Sequence, residues 1–519
     1  MKFDQLVSLL RGGQSLTSNQ QENLLRIIEL SRAFHSDAGL YFKDPGSPGK
    51  KAIVLESGHQ PNFLPYPGVW KKAFLLDRIA GELRDLGEEV IPLFGFADQN
   101  LSTASVLYRN HILAFRKNGS CRIGFKLDKS HFTRFDCVDK PSKDRWNQEL
   151  SSIRDFYGTN SRKLKEDNPE LVTRIDAIID IMDRCYQRAH NFPELNALIF
   201  SRVCHDLLGS RILFFFYSDL QREGLFSEEW NRLIDLLEPY TTLYNRVITE
   251  KNIGLHPLSK NQLPFWYHCS CNGKVTLELN EEGDAVGTCE TCGNPIHLPV
   301  KGNGGDLSRW LPWMSLSAVA RNIIFSEGLG TKLFISGAGG GLQYGQVANE
   351  ISRSLRFHTP ITLAWISRDY FLGLAQRIGL QELLRTYQIS SPDLTGSNLQ
   401  EKIQNFQDNL RTTIDMLESA GRDPRDVQRC RSRFLNSKID LEIVQQIFTT
   451  MPSMLDILIQ FPGQYISQVW ETALLDPTLE EQQGMMMIKN DVVYREKNLG
   501  FSPEEIPRIY QNITSLEVD

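Results

Sequence analysis

The sequence predicts an α/β fold: a parallel-sheet core, a cysteine ribbon inserted into it, and a C-terminal α-helical coiled-coil arm. Three observations carry this. Residues 52–98 read as strand, loop, helix and strand, a βαβ unit whose strands are expected to be parallel and buried on both faces. Cys269 and Cys271 stand seventeen residues before Cys289 and Cys292, with two alternating strand patterns between the pairs. From Leu399, apolar residues recur every three or four positions through Ile403, Phe406, Leu410, Ile414 and Leu417.

Residues 1–50 are expected to form a helical segment, on the spacing of Leu24, Ile27 and Ile28, ended by the DPGSPGKK loop. AIVLESG is the first buried strand, HQPNFLPYPG a loop, VWKKAFLLDRIAGELRDLG a helix and EEVIPLFGFAD the second strand. This first part of the core spans 51–263, with a charged helical insertion at about 140–210 and a further strand, ILFFFYSDL at 212–220, ending in an aspartate. The ribbon occupies 264–300. The core resumes over 301–390 with TKLFISGAGGGLQYG, again strand, glycine-rich turn and helix, and with a strand in TPITLAWISRDYF. In the arm, 391–480, GRDPRD separates two helices, the second from about Ile439 to Leu458, as a hairpin or coiled coil. A tail, 481–519, follows, in which Met485–Met487 are expected to be a helix packing face.

With 519 residues, 41% hydrophobic and 23% charged, the chain is large enough for more than one core. A net charge of −6 argues against holding nucleic acid mainly by a broad basic face. The most apolar run, Ile212 to Tyr217, is far shorter than the roughly twenty residues a membrane span needs. The first twenty residues lack the apolar stretch and cleavage site of a signal peptide. Five of the nine cysteines (Cys121, Cys137, Cys185, Cys204, Cys430) are scattered singly, as suits a reducing compartment. A cytoplasmic protein without membrane association is expected.

Two cysteine knuckles at the same end of a strand hairpin converge on four thiolates, the donor set and geometry of a structural zinc ion. Cys269, Cys271, Cys289 and Cys292 are the expected ligands; the tight spacing of the first pair leaves His268 or His297 as a replacement for one of them. Four reduced thiols or a redox pair are the competing reading.

In an open α/β sheet, ligands sit at the carboxyl ends of strands near the point where strand order reverses, and helix starts offer free N–H groups to phosphate. Gly58, His59, Gln60 and Gly68 occupy one such loop, with Lys71 and Lys72 in the helix behind it. Asp98 and Gln99 end the second strand and are expected to face the same crevice. Gly339, Gly340 and Gly341 form a second loop, with Gln343 and Tyr344 placed to read a base or ribose. The plainer alternatives are a positive-φ turn for the glycines, a cap or core role for His59, and a capping turn for Asp98 and Gln99.

Two resemblances bear on these segments. Glu56-Ser57-Gly58-His59-Gln60-Pro61, then LPFWYHCSC, CETCG, GNGGDLSRW and SGAGGGLQYG in that order, are similar to the class I lysyl-tRNA synthetases, whose nucleotide-binding core carries the HIGH signature. Tyr66 and Val69 stand where that signature has histidines, and Ser367-Arg368-Asp369 where a KMSKS-type lysine loop would follow. The second resemblance spans more of the chain. Gly58-His59-Gln60-Pro61, Gly95-Phe96-Ala97-Asp98-Gln99, YSDL at 217–220, Gly339-Gly340-Gly341 with Tyr344, and Pro360 with Ser367-Arg368 resemble the motifs of the bacillithiol-biosynthesis cysteine-adding enzymes (BshC-like proteins). That family also carries a C-terminal coiled coil; the ribbon is an addition, and its acidic strand end is reduced here to Ala97-Asp98-Gln99.

The resemblance implies a Rossmann-like nucleotide-binding core and a ligase joining an amino acid, cysteine in that family, to a small amine-bearing acceptor, with ATP or ADP as the nucleotide. It implies that His59 or Lys71 stabilises phosphate charge, that Gly339–Gly341 pass beneath the nucleotide or acceptor, and that Arg368 holds a carboxylate or phosphate. A homodimer through the C-terminal helices is expected, and tRNA is a disfavoured partner. The alternatives are tRNA aminoacylation, another transferase on the same scaffold, or a non-catalytic nucleotide-binding or assembly protein.

Overall fold

The computed structural model describes residues 3–12, 15–116, 118–127, 133–163, 169–300, 307–337, 340–368, 373–387, 396–421, 423–450, 452–475, 478–482 and 485–491. Helices α1 (Phe3–Leu10) and α2 (Ser18–Ala38) precede β1 (Ile53–His59), α3 (Pro67–Asp85) and β2 (Val90–Phe96). A hairpin of β3 (Arg109–Leu113) and β4 (Ser120–Gly124) follows, then α4 (Lys143–Lys163), α5 (Pro169–Arg188) and α6 (Phe192–Asp206). The chain returns to the sheet at β5 (Leu213–Phe216), which runs straight into α7 (Tyr217–Arg222), α8 (Ser227–Asp235) and α9 (Leu237–Glu250). The strand expected over 212–220 is thus shorter: the backbone turns helical at Tyr217, and Asp219 lies on α7.

The cysteine ribbon comprises β6 (Gln262–His268), β7 (Lys274–Leu279), β8 (Ala285–Thr288) and β9 (Pro295–Leu298), and β10 (Met314–Leu316) pairs antiparallel with β6 to close a five-stranded sheet. The core continues with α10 (Ala318–Leu329), β11 (Leu333–Ser336), α11 (Gly340–Leu355) and β12 (Ile361–Arg368). Beyond it lie α12 (Leu374–Tyr387), α13 (Gly396–Ser419), α14 (Pro424–Thr449), α15 (Met454–Gln460), α16 (Gly463–Leu475), β13 (Thr478–Gln482) and β14 (Met485–Asp491).

The main sheet has the order β13-β14-β12-β11-β1-β2-β5, parallel throughout except for β13. The chain begins in the middle at β1, builds outward through β2 and β5, then returns to the other side of β1 and builds outward through β11, β12 and β14. Strand order therefore reverses between β1 and β11, which is where doubly wound sheets open a crevice for ligands. Alternation along β1 and β2 feeds two cores, as a sheet covered on both faces requires. Ile53, Leu55, Phe94 and Phe96 join the core on the α3 side, while Val54, Ile91 and Leu93 join the core shared with α2, α10 and the ribbon.

At the C-terminal side, α13 and α14 pack against each other, with Arg431 pairing to Glu418 and Arg411 stacked over Phe434. The second helix starts earlier than the apolar pattern suggests, because Asp423 caps it and Pro424 occupies its first position. It ends at Thr449, and a Ser453–Asp456 capping box starts α15 as a separate helix. Met485–Met487 belong to strand β14, paired with Thr362, Leu363 and Ala364, rather than to a helix. Among the described residues no helix is long and apolar enough to cross a membrane.

Candidate functional site

A cavity of about 490 Å³ opens at the reversal point between β1 and β11. Its floor is the carboxyl ends of those strands, with His59 and Gln60 on one side and Ser336 and Gly337 on the other; α10 supplies Arg321 and Asn322, α11 supplies Gly341 and Tyr344, and the ribbon contributes Trp266. No carboxylate is among the lining residues, whereas Arg321 and Lys72 both are.

Arg321 sits in the first turn of α10, directly after the edge strand β10 of the ribbon, with Ser317 as the cap. Its guanidinium lies over the Tyr217 ring at 4.9 Å, and among the described residues it makes no ion pair or side-chain hydrogen bond. A guanidinium carries five donors, which water or an anionic ligand in the cavity can fill. Lys72 is buried and donates to the Gly58 carbonyl at 2.5 Å. Burial, with Arg321 nearby, brings its ammonium down to about 7. His59 Nδ1 lies 2.8 Å from the Gln60 carbonyl, which only a protonated Nδ1 can satisfy. Burial and the neighbouring Lys72 depress its pKa to about 3, so the ring is neutral at pH 7 and its Nε2 is an acceptor. Positive charge in the cavity thus comes from Arg321 and Lys72, not from His59.

Glu56 lies behind this wall on β1. It accepts from Thr331 Oγ1 at 3.0 Å, and burial raises its pKa to about 7. Gly58 and its register partner Gly95 on β2 form a seat for Tyr217: a Cβ on Gly58 would lie 2.3 Å from the tyrosine oxygen, and one on Gly95 2.0 Å from its ring. Gly58 therefore reaches the cavity through its backbone, while its open face is filled by a buried side chain.

The remaining expected site residues separate into those the fold brings here and those it does not. Gln60 accepts from Asn100 Nδ2 at 3.1 Å, and both line the cavity. Gly341 lines it as well, with no room for a side chain, because a Cβ would stand 2.5 Å from Ser336 Oγ. Tyr344 lines it one turn later, and Gln343 is exposed. Gly340 is the first residue of α11; Gly339 lies outside the described residues, as does the side chain of Arg368, whose backbone ends β12. Lys71 points elsewhere: its ammonium lies 5.5 Å from the Trp365 ring and 5.9 Å from that of Trp470. Consecutive helix positions diverge by about 100°, so only one of the two lysines can face the cavity, and it is Lys72. Gly68 is in the exposed first turn of α3, with nothing near it. That turn abuts other elements: Tyr66 Oη is 3.3 Å from His111 Nδ1, and the Met454 amide donates to the Pro65 carbonyl. Asp98 is buried and accepts from the Ser218 amide at 3.2 Å and its hydroxyl at 2.5 Å, fastening β2 to the start of α7. Gln99 faces a smaller chamber next to the cavity.

Arg321 and Trp266 were not legible as site residues. The one signal available was a single arginine in the first turn of the largely apolar helix AVARNIIFSEGL, behind the serine cap.

The sulfurs of Cys269, Cys271, Cys289 and Cys292 lie within 4.8 Å of one another and could hold a metal ion. The Cys269–Cys292 and Cys271–Cys289 sulfurs are 3.5 Å apart, far longer than a disulfide and close to the edge of about 3.8 Å of a tetrahedron with 2.3 Å metal–sulfur bonds. Asn272 and Gly293, each directly after a knuckle, take positive φ, which curls the cysteines inward. Gly273 leaves space for Cys289 Sγ, 2.9 Å from where a Cβ would stand. His268 is turned to Ser315 Oγ and His297 to Asp284, so neither belongs to the cluster.

Comparison with known proteins supplies no assignment: no protein-family model matches the chain, and no curated protein matches it.

Proposed function

We propose that this chain is a nucleotide-dependent ligase joining an amino acid to a small amine-bearing acceptor, with the nucleotide in the cavity between β1 and β11 and a structural zinc ion held by the four cysteines. The single observation that carries the nucleotide is Arg321: a guanidinium that makes no ion pair or side-chain hydrogen bond among the described residues, beside Lys72, in a cavity lined by no carboxylate and bordered by the start of α11. Such a site favours phosphate. Trp266 and Tyr344 offer aromatic surface to a base.

The reaction class comes from the motif resemblance to the cysteine-adding enzymes. An amide requires an activated carboxyl, which a nucleotide phosphate provides. Arg321 and Lys72 then offset charge on the phosphate: as the amine nitrogen bonds the acyl carbon, the acyl–oxygen bond breaks, the nucleotide phosphate leaves on that oxygen beside the two cations, and the amine proton passes to water. The zinc ion supplies rigidity to the wall that carries Trp266, since all four of its positions are filled by cysteine.

Amino-acid-dependent exchange of pyrophosphate into ATP, measured over the twenty amino acids with metal-replete protein, tests the reading. Exchange with one amino acid, abolished in Arg321→Ala, is expected. Absence of both exchange and nucleotide binding in the wild-type protein would overturn it. Metal analysis of the purified chain is expected to return one zinc per chain, lost in Cys289→Ser.

A further inference from the structure

The cavity continues beneath the ribbon into a second, narrower chamber, and the two share Ala97, Asn100, Leu316 and Arg321 in their walls. The chamber adds Gln99, Gln221, Lys274 and Ser315, contributed by β2's end, α7, β7 and β10. At about 20 Å³ it has room for one water-sized group, such as a single carboxylate oxygen, and not for a whole ligand.

Ser315 is paired with His268 and Asn100 with Gln60, but Lys274 and Gln221 make no side-chain hydrogen bond among the described residues. Lys274 stacks its ammonium on the Trp266 ring at 4.4 Å and, among the described residues, makes no hydrogen bond or ion pair. Gln221 is 4% exposed, and its Oε1 is buried without a partner. That oxygen is an acceptor, so what it calls for is a donor: ordered water, a ligand N–H, or the Lys274 ammonium drawn to it when a ligand binds. Acidic residues stand nearby, but their charges are already matched. Arg134 grips Asp136 through two nitrogens at 2.9 and 3.2 Å, and Arg222 pairs with Asp219. Asp98 is held by Ser218, and burial together with Asp136 raises its pKa above the usual carboxylate range. Arg321 is the standing cation at the chamber; burial brings Lys274 down to about 7 against the pull of Asp136, so an anion bound beside it would hold it protonated.

We infer that this chamber is the subsite for the carboxylate end of the amino-acid substrate, with Lys274 and Arg321 as its charge partners and the Gln221 amide as a hydrogen-bonding neighbour. This deepens the ligase reading and rests on it for the identity of the ligand. A carboxylate accepts from both cations, and an amide can donate to it or accept from the adjoining ammonium. Lys274 begins β7 immediately after the first cysteine knuckle, and Asn272 of that knuckle accepts from the Arg134 amide at 2.9 Å. The ribbon is thereby a working wall of the site rather than an appendage.

The experiment is a calorimetric titration of single amino acids into the metal-replete full chain without nucleotide, repeated with the methyl ester of whichever binds. One amino acid is expected to bind, its ester at least tenfold more weakly, and Lys274→Met to weaken the free acid by a similar factor. Lys274→Arg should restore part of the affinity, which a purely structural lysine would not require. Equal affinity for acid and ester, or no amino acid bound by the wild-type chain, overturns the inference, and the ester comparison stands even if Lys274→Met fails to fold. Because nucleotide is absent, failure here is distinguishable from failure of nucleotide binding, which would sink the ligase reading instead.

Discussion

The sheet offers two strand–loop–helix units that look alike in sequence, β1 to α3 and β11 to α11, and the structure treats them differently. Both place glycine between a buried strand and a helix start. The α3 start lies outside the crevice: Pro65 and Tyr66 are engaged by Met454 and His111, and Gly68 is exposed and lines no part of the cavity. The α11 start is open: Gly341 packs on Ser336 Oγ and lines the cavity beside Arg321. A glycine-rich turn thus borders the crevice only where the surrounding elements place it there, which the turn's own residues do not decide.

Substitutions can break this contrast directly. Gly341→Ala pushes a methyl group against Ser336, and nucleotide affinity should fall at least tenfold in a binding titration, the largest effect of the set. An unchanged affinity would remove α11 from the site. Lys72→Met deletes a charged donor worth about 1.5 kcal/mol or more, roughly tenfold in affinity, whereas Lys71→Met should leave nucleotide affinity unaltered. The reverse ranking would return the site to the Lys71 face of α3.

A pH series sharpens the same point. In the free protein Lys72 is lowered to about 7 from the ordinary lysine value of 10.5, so above pH 7 it loses its proton, and an anionic ligand must restore it. Affinity should therefore decline several-fold from pH 7 to 9, with proton uptake visible in buffers of different ionisation enthalpy. A flat profile that persists in Lys72→Met would mean the lysine does not meet the ligand. The smallest effect is expected from Gly68→Ala: no change in binding, and a gain of up to about 0.5–1 kcal/mol in stability from a better helix former in open space. A loss of binding there would reopen the α3 start.

Much of this architecture could be read from the chain. The βαβ pattern of β1, α3 and β2 and the paired cysteines are local signals, in which periodicity and spacing suffice. Short apolar runs misled: Met485–Met487 fit a helix face as well as a strand, and sheet pairing with β12 decides between them. The cavity was harder to see because its charge comes from elsewhere. Arg321 stands more than two hundred and fifty residues from His59, and Lys274 belongs to the ribbon; only the return of the chain to the far side of β1 brings them together. Asp98 illustrates the opposite case, a polar strand end that faces its own sheet partner's helix instead of the crevice.

The most direct measurement is a calorimetric titration of ATP and of uncharged adenosine into the wild-type chain and into Arg321→Ala. The account predicts that ATP binds the wild-type protein well ahead of adenosine, and that Arg321→Ala erases most of the difference while the variant keeps its melting temperature. ATP binding with equal strength to both proteins would contradict it and place the phosphate site away from the β1–β11 crevice.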